Sequence, residues 1–450
     1  MNINTIYSIK PTYIFNKKSG VLYTVTLPFV DRHSCTDFKI LDRSAVLFFS
    51  LFDGKNTYKD VLNCLKSLFQ VDESILIQKT DKFLNKYSGF FTTEKLRVDK
   101  RAQEYLLKMH VPPIDYQNKR FIYPISLLLL LTKRCDKKCV YCIYNANHIG
   151  ANTVSDLPLH FFMKVHRQAA DMGIKSINYS GGEPLLYNHI EDLIYFDKEN
   201  QIESSITTKG GPSLNKVEEV CRAGLSSATF SLDSPDVSTV DYLLNTKGAY
   251  GKLLQTLEMF SKYNVKLRIN MVANKLNFTQ VPQMVALCKE YGVSHLSIRE
   301  CKDGFGRSMK SLFLSADEIQ RMEEQSREFQ SDSFSINFVR DCANSESKLS
   351  FCRSGKMNMI VRHDGKVVMC EDVIEDDRTV LGDLRNNTLE EVWNSKKMLN
   401  FINPPRELYE KTDCQKCKKF NSCIKTQCVY KNLIANNRLY LGVNNCPYKE

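Results

Sequence analysis

Between residues 125 and 310, short apolar runs alternate with longer stretches whose apolar positions return every three or four residues. The short runs predict strands at 125–132, 174–179, 202–208, 226–232, 265–272 and 294–299. The longer stretches predict helices at 157–172, 187–198, 213–223, 249–263 and 279–291. Such alternation gives a parallel sheet with helices on its outer face, and six strands instead of eight give an α/β fold, a partial (β/α)6 barrel. Functional residues in these sheets gather at the carboxyl ends of the strands.

The flanking segments carry other patterns. In residues 1–95, the runs Tyr13–Phe15 and Val21–Leu27 flank the turn signal Lys17-Lys18-Ser19-Gly20, which predicts a hairpin, and a third strand is expected at Phe38–Leu41. Helices follow at 43–52, at 57–69 opened by Thr57, and at 74–88 opened by Ser74, the last with Leu76, Phe83, Leu84 and Tyr87 on one face. This is a winged-helix-like α+β domain. Residues 96–124 are charged, aperiodic and contain Pro112-Pro113, so they read as a linker. Residues 311–340 bridge the barrel to a cysteine-rich segment, 341–450, with few long apolar periods; a segment of that kind depends on metal to hold it together.

Composition narrows the classes. The 450 residues are 43% hydrophobic and 25% charged, as in an ordinary globular protein, and the run Leu127–Leu131 is too short to span a bilayer. No basic n-region with an apolar h-region opens the chain, so the expectation is a cytoplasmic protein without a membrane anchor. The net charge of +11 is spread: residues 1–95 hold 13 Lys/Arg against 9 Asp/Glu, and no long basic run marks a nucleic-acid surface. Sixteen cysteines in such a chain point to metal or redox chemistry. Five of them (Cys35, Cys64, Cys221, Cys288 and Cys301) are scattered and read as packing.

The first barrel strand runs into Cys135-Asp-Lys-Lys-Cys139-Val-Tyr141-Cys142. Three thiolates on one loop can hold three irons of a [4Fe–4S] cube and leave the fourth iron open, as catalytic zinc sites leave a position free. Three cysteines at fixed offsets would arise about 0.02 times in a chain of this composition. A zinc knuckle or packed cysteines is the competing reading. The next strand ends in Ser180-Gly181-Gly182-Glu183-Pro184, where glycines permit close backbone approach and a carboxylate can meet an ammonium group.

The cysteine loop followed by Gly-Gly-Glu-Pro resembles the radical S-adenosylmethionine (SAM) superfamily over about residues 125–310. The resemblance implies that SAM chelates the open iron and is cleaved to a 5′-deoxyadenosyl radical that takes a hydrogen from substrate. It implies cluster ligands Cys135, Cys139 and Cys142, contacts to the methionyl amine from Ser180, Gly181, Gly182 and Glu183, and Tyr141 beside the adenine. Ser231, Asp233, Arg268, Asn270 and Arg299 on later strands are further cofactor or substrate contacts, or structural residues. Where the superfamily often has Thr-Asn-Gly after the third strand, this chain has Thr207-Thr208-Lys209-Gly210, so an asparagine contact is missing.

Farther on, Cys352 and Cys370 with Gly365 between them, then Cys414-x2-Cys417-x5-Cys423-x4-Cys428 and Cys446, resemble the SPASM extension, which binds auxiliary clusters. The usual last spacing is three residues where this chain has four. The resemblance implies two auxiliary [4Fe–4S] clusters, one on Cys352, Cys370 and Cys428 and the other on Cys414, Cys417, Cys423 and Cys446. Cys342 is a candidate fourth ligand of the first; the alternative is an iron open to water or substrate. Glu371, directly after a cluster ligand, stands where sulfatase-maturing members place a carboxylate base; the alternative is an exposed loop glutamate.

The elements of residues 1–95, with Phe38-Lys-Ile-Leu-Asp42, Phe52-Asp53-Gly54 and Thr57, resemble the PqqD-like recognition domain of ribosomal-peptide maturases. A precursor's leader would then add a strand beside residues 38–42 and pack on the 74–88 helix. The expected function is radical SAM modification of a precursor peptide, with cysteine-to-carbon thioether formation preferred and a flavodoxin or ferredoxin as electron donor. Carbon–carbon crosslinking, epimerisation, decarboxylation and formylglycine formation on sulfatases are the alternative activities. A DNA-binding iron–sulfur or zinc regulator is the alternative outside enzymes, and Asp81 among Lys79, Lys82 and Lys86 makes a poor phosphate stripe for it.

Overall fold

The computed structural model describes residues 2–10, 13–16, 21–25, 35–94, 112–144, 146, 155–303, 309–329, 331, 334–339, 352–420 and 428–441. The chain divides into two compact units, one built up to Arg120 and the other from Phe121 onward. In the first unit β1 (Tyr13–Asn16), β2 (Val21–Val25) and β3 (Cys35–Ile40) form an antiparallel sheet in that order, so β3 is an edge whose one strand partner among the described residues is β2. The expected turn at Lys17–Gly20 lies outside the described residues. Helices α1 (Arg43–Leu51), α2 (Tyr58–Phe69) and α3 (Glu73–Lys86) follow, and each opens on a side-chain cap: Asp42, Thr57 in a capping box with Asp60, and Asp72. The core is aromatic. Phe48 stacks on Phe83 with ring centroids 4.5 Å apart, and Phe49 packs on Phe91 at 4.8 Å. Leu76, Phe83, Leu84 and Tyr87 are all buried there, as their shared face requires.

The second unit is organised by a ten-stranded sheet where six strands were expected. Its parallel run consists of β4 (Ser126–Thr132), β5 (Ser176–Gly181), β6 (Glu203–Thr208), β7 (Ser227–Ser231), β8 (Lys266–Ala273), β9 (His295–Glu300) and β10 (Ser335–Val339). On the other side of β4 lies β11 (Asn358–Val361), parallel to it, and then β12 (Lys366–Val368) and β13 (Val380–Asp383), both antiparallel to their neighbours. The strand β10 falls in the expected bridge, where Ile336 and Phe338 alternate with Ser335 and Asn337, a strand pattern that the reading of 311–340 as a bridge passed over. The outer helices are α4 (Leu159–Asp171), α5 (Ile190–Glu199), α6 (Leu214–Ala223), α7 (Val237–Leu244), α8 (Ala249–Lys262) and α9 (Val281–Glu290), with α10 (Ala316–Arg327) before β10.

Alternation along the strands separates two environments. In β4, Leu127, Leu129 and Leu131 join the main core under the helices, while Leu128 and Leu130 face Ile360, Val368 and Ile374. Both faces are covered, hence the unbroken apolar run. In β5 to β9 the outward residues are mostly apolar, as with Ile177 and Tyr179, Ala228 and Phe230, or Ile269 and Met271, whereas the inward ones are mostly polar. One polar network crosses the outer layer. The Tyr179 hydroxyl lies 2.8 Å from His166 Nε2 and also meets Asp197, which accepts from Ser204 Oγ at 2.9 Å, so α4, α5, β5 and β6 are tied together in a dry interior. The variant Y179F strips two buried polar groups of a partner and is expected to cost ~1–3 kcal/mol, read as an earlier unfolding midpoint in denaturant.

Candidate active site

The loop after β4 is clasped on both sides by backbone bonds. Gly182 N donates to Thr132 O and Glu183 N donates to Arg134 O, each at 2.8 Å, so the Gly-Gly-Glu-Pro turn is zipped to the residues entering the cysteine loop. Lys138 N and Val140 N donate to Leu244 O and Leu243 O at the end of α7, a short helix that was not among the predicted elements. Gly181 has φ +127°, and a Cβ on Gly182 would stand 2.0 Å from Arg134 O. The glycines are therefore required by the approach of the loop's own backbone, in addition to any ligand.

Cys135, Cys139 and Cys142 open onto one cavity of about 370 Å³ at the carboxyl ends of the strands. Tyr141, Ser180, Gly181, Gly182, Glu183, Ser231, Asn270, Arg299 and Glu371 share its wall, so twelve of the fourteen residues proposed from sequence for catalysis, cofactor or substrate binding meet there. Asp233 and Arg268 are the exceptions. Asp233 is buried behind the wall, meets the Tyr141 hydroxyl, pairs with Lys209 at 3.0 Å and accepts from Val272 N at 2.9 Å. Burial pushes the Cys139 thiol up to about 12 and raises that of Cys135, so these two would become ligands by releasing protons when a cation binds. Glu183 is buried with its carboxyl raised, yet it accepts from Thr208 Oγ1 at 2.7 Å and Lys209 N at 3.0 Å, so its position is set before any ligand arrives.

Sequence reasoning missed part of this wall. Asn178, Thr207, Thr229, Ser297 and Lys209 also line the cavity, and so does Cys301, which had read as packing. The signal was a polar residue at every second position near the ends of parallel strands, where a sheet covered on both faces would be apolar throughout. Cys221 and Cys288 are buried in the core as expected, and Arg268 is absent from the wall.

Glu371 stands across the cavity from the thiol loop. Burial raises its carboxyl, opposed by the Arg299 guanidinium at 3.7 Å, and the Tyr144 hydroxyl donates to it at 3.4 Å. Asp372 next to it pairs with Arg299 at 3.3 Å and Lys302 at 2.7 Å. These pairs fasten the turn after Cys370 to the end of β9. The neighbouring Cys370 thiol is pushed up by burial, and Cys428 is part-buried. Arg406 donates to the carbonyls of Gln415 and Cys417 at 2.9 and 3.0 Å and holds the Cys414–Cys417 turn. Cys352 is part-buried; Cys342, Cys423 and Cys446 lie outside the described residues.

The donor set fits an iron–sulfur cluster. Three thiols face one ligand-sized cavity. A cubane puts each thiolate on a different iron. Residues 129–288 match the radical SAM superfamily, and residues 352–418 match the SPASM iron–sulfur cluster-binding domain. The chain thus carries a radical SAM domain followed by a SPASM domain, with SAM and [4Fe–4S] clusters as its cofactors.

Among characterised proteins it is similar to the PqqA peptide cyclase of Gluconobacter oxydans (strain 621H), 24% identical over 307 residues that cover 66% of this chain and 83% of the cyclase. Its fold is that of Streptococcus suis SuiB. The SAM-bound form gives a TM-score of 0.61 at 20% identity over 98% of this chain and 100% of SuiB. SuiB bound to its precursor peptide SuiA gives the same TM-score at 17% identity and the same coverage. No helix among the described residues is long and apolar enough to cross a membrane.

Proposed function

We propose that this chain is a radical SAM maturase of a ribosomally made precursor peptide and that it closes a thioether between a cysteine sulfur and a carbon of another residue. The observation that carries the reading is the meeting of the Cys135–Cys142 thiols and Glu371 in one cavity. A peptide substrate is supported by the similarity to enzymes named PqqA peptide cyclase and by the fold shared with SuiB, which has been seen bound to a precursor peptide.

In this reading Cys135, Cys139 and Cys142 hold the catalytic cluster, while Cys352, Cys370, Cys428 and Cys414, Cys417, Cys423, Cys446 hold two auxiliary ones. When bound, these groups supply the 5′-deoxyadenosyl radical that takes a hydrogen atom from carbon and an acceptor for the electron left as the C–S bond forms. Ser180 to Glu183 and Ser231 orient the cofactor. Glu371 accepts the thiol proton, and Arg299 beside it favours the ionised carboxylate that can do so. The atoms balance: one C–H and one S–H bond are lost, one C–S bond is gained, and the peptide ends two hydrogens lighter. Residues 38–42, the end of the edge strand β3 and the two residues after it, offer main-chain groups to a leader peptide that packs on the 74–88 segment, the β-augmentation mode. A flavodoxin or ferredoxin supplies reducing electrons.

The test is co-expression with a short neighbouring precursor, followed by mass spectrometry with and without iodoacetamide. A product two hydrogens lighter with one fewer alkylatable cysteine is expected. Loss of two hydrogens with every thiol still alkylated would replace the thioether by a carbon–carbon link. In E371Q, 5′-deoxyadenosine formation is expected to persist while crosslinked product falls ~100-fold, because general-base help is lost after the radical step. Equal loss of both would remove Glu371 from the role of base.

A further inference from the structure

At the end of β6, where the superfamily pattern has asparagine, this chain places Lys209, and the side chain returns to the cavity that holds the three thiols. Its ammonium donates to the Tyr141 hydroxyl and to Asp233 Oδ2, each at 3.0 Å, and lies 5.5 Å from the centroid of the Tyr141 ring. The side chain is 17% exposed. Asp233 is held in turn by Val272 N and meets the same phenol. The clamp thus draws on β6, the segment after β7, β8 and the residue between Cys139 and Cys142. A cation in this enclosed, low-dielectric place acts on the sulfurs more strongly than a surface lysine could. Lys209 lines the cavity with the sulfurs whereas Asp233 stands behind its wall, so the cation and not its carboxylate partner faces the place of the cluster.

We propose that Lys209 is a positioning and charge-compensating residue of the catalytic cluster, fixing Tyr141 between two ligands and raising the midpoint potential of the cluster with its fixed positive charge. The inference rests on Cys135, Cys139 and Cys142 being the ligands. Reduction adds one negative charge to a cluster already bounded by thiolates, so a nearby cation stabilises the reduced form, one of the ways in which surroundings set such potentials.

The test is an anaerobic redox titration of the reconstituted full-length protein, without SAM, followed by electron paramagnetic resonance. The signal absent from the Cys135/Cys139/Cys142 triple alanine variant identifies the catalytic cluster; if no signal is lost, the ligand assignment fails and not the role of Lys209. K209M is expected to shift this potential downward and leave the auxiliary signals in place, and K209R is expected to recover it. Y141F, which keeps the ammonium and removes the phenol, should titrate with the parent. Because K209M leaves Asp233 buried without its cation, the double variant K209M/D233N is titrated beside it and is also expected below the parent. A double variant with full iron content and the parent potential would overturn the proposal. So would Y141F shifting as far as K209M, or loss of the cluster from K209M and the double variant alike, which would make Lys209 a residue of assembly and not of potential.

Discussion

Changing Cys135, Cys139 and Cys142 together to alanine is expected to abolish 5′-deoxyadenosine formation and to lower the iron content from about twelve to about eight per chain. The three thiols share one cavity, and Cys139 is almost wholly enclosed, so their loss removes the three sulfurs that the loop presents to one cluster. The remaining irons should persist because their proposed ligands lie on separate turns, one braced by Arg299 and Lys302 against Asp372, the other by Arg406 against two carbonyls. Iron and sulfide analysis with chromatography of the SAM products decides the matter. SAM cleavage surviving in the triple variant would move the catalytic centre elsewhere.

The second large effect is expected from a single methyl group. In G182A the new Cβ would lie 2.0 Å from Arg134 O and 2.6 Å from Arg134 C, atoms that cannot rotate aside as a side chain can. Relief requires the turn and the cysteine loop to separate, which breaks the bonds from Gly182 N and Glu183 N. A displacement of about 1 Å at the thiols is enough to cost ~10²-fold in rate, and SAM cleavage should fall at least that far. G181A adds a residue that resists φ +127° and a contact of 2.5 Å with Thr132 O, so it should behave alike. G251A on α8 is the control: nothing lies within 4 Å, and alanine there should stabilise the helix by ~0.5–1 kcal/mol. Parent-like SAM cleavage by G182A would mean that the turn is not clasped as described.

The six strands from 125 to 299 were legible because each carries an apolar outward face, and the helices 159–171, 190–199, 214–223, 249–262 and 281–290 because their apolar positions follow the helical period. Two elements were missed although their side chains mark them. Residues 237–244 bury Val240, Leu243 and Leu244 at helical spacing, but the helix is only two turns long; its last carbonyls, those of Leu243 and Leu244, also hold the cysteine loop. In residues 335–339, Ile336 and Phe338 alternate with Ser335 and Asn337, a strand pattern in a segment that read as a bridge. The thiols could be placed by spacing alone, but Lys209 read only as a departure from a pattern. Its meaning appears once Asp233, two residues beyond the end of another strand, is seen beside it.

The pairing of β11 with β4 carries a consequence for biosynthesis. Ser126 to Leu129 lie in register with Asn358 to Val361, so the strand that feeds the catalytic loop gains its second neighbour only from a segment made much later. Until then β4 presents an unpaired apolar edge, the kind of surface that nascent chains join by mistake. A ribosome stalled before Asn358, or a protease cut there, would leave the cysteine loop on a half-built sheet. The cysteine loop would thereby become a well-formed acceptor for a cluster only after residues 358–361 have been made and have paired with β4.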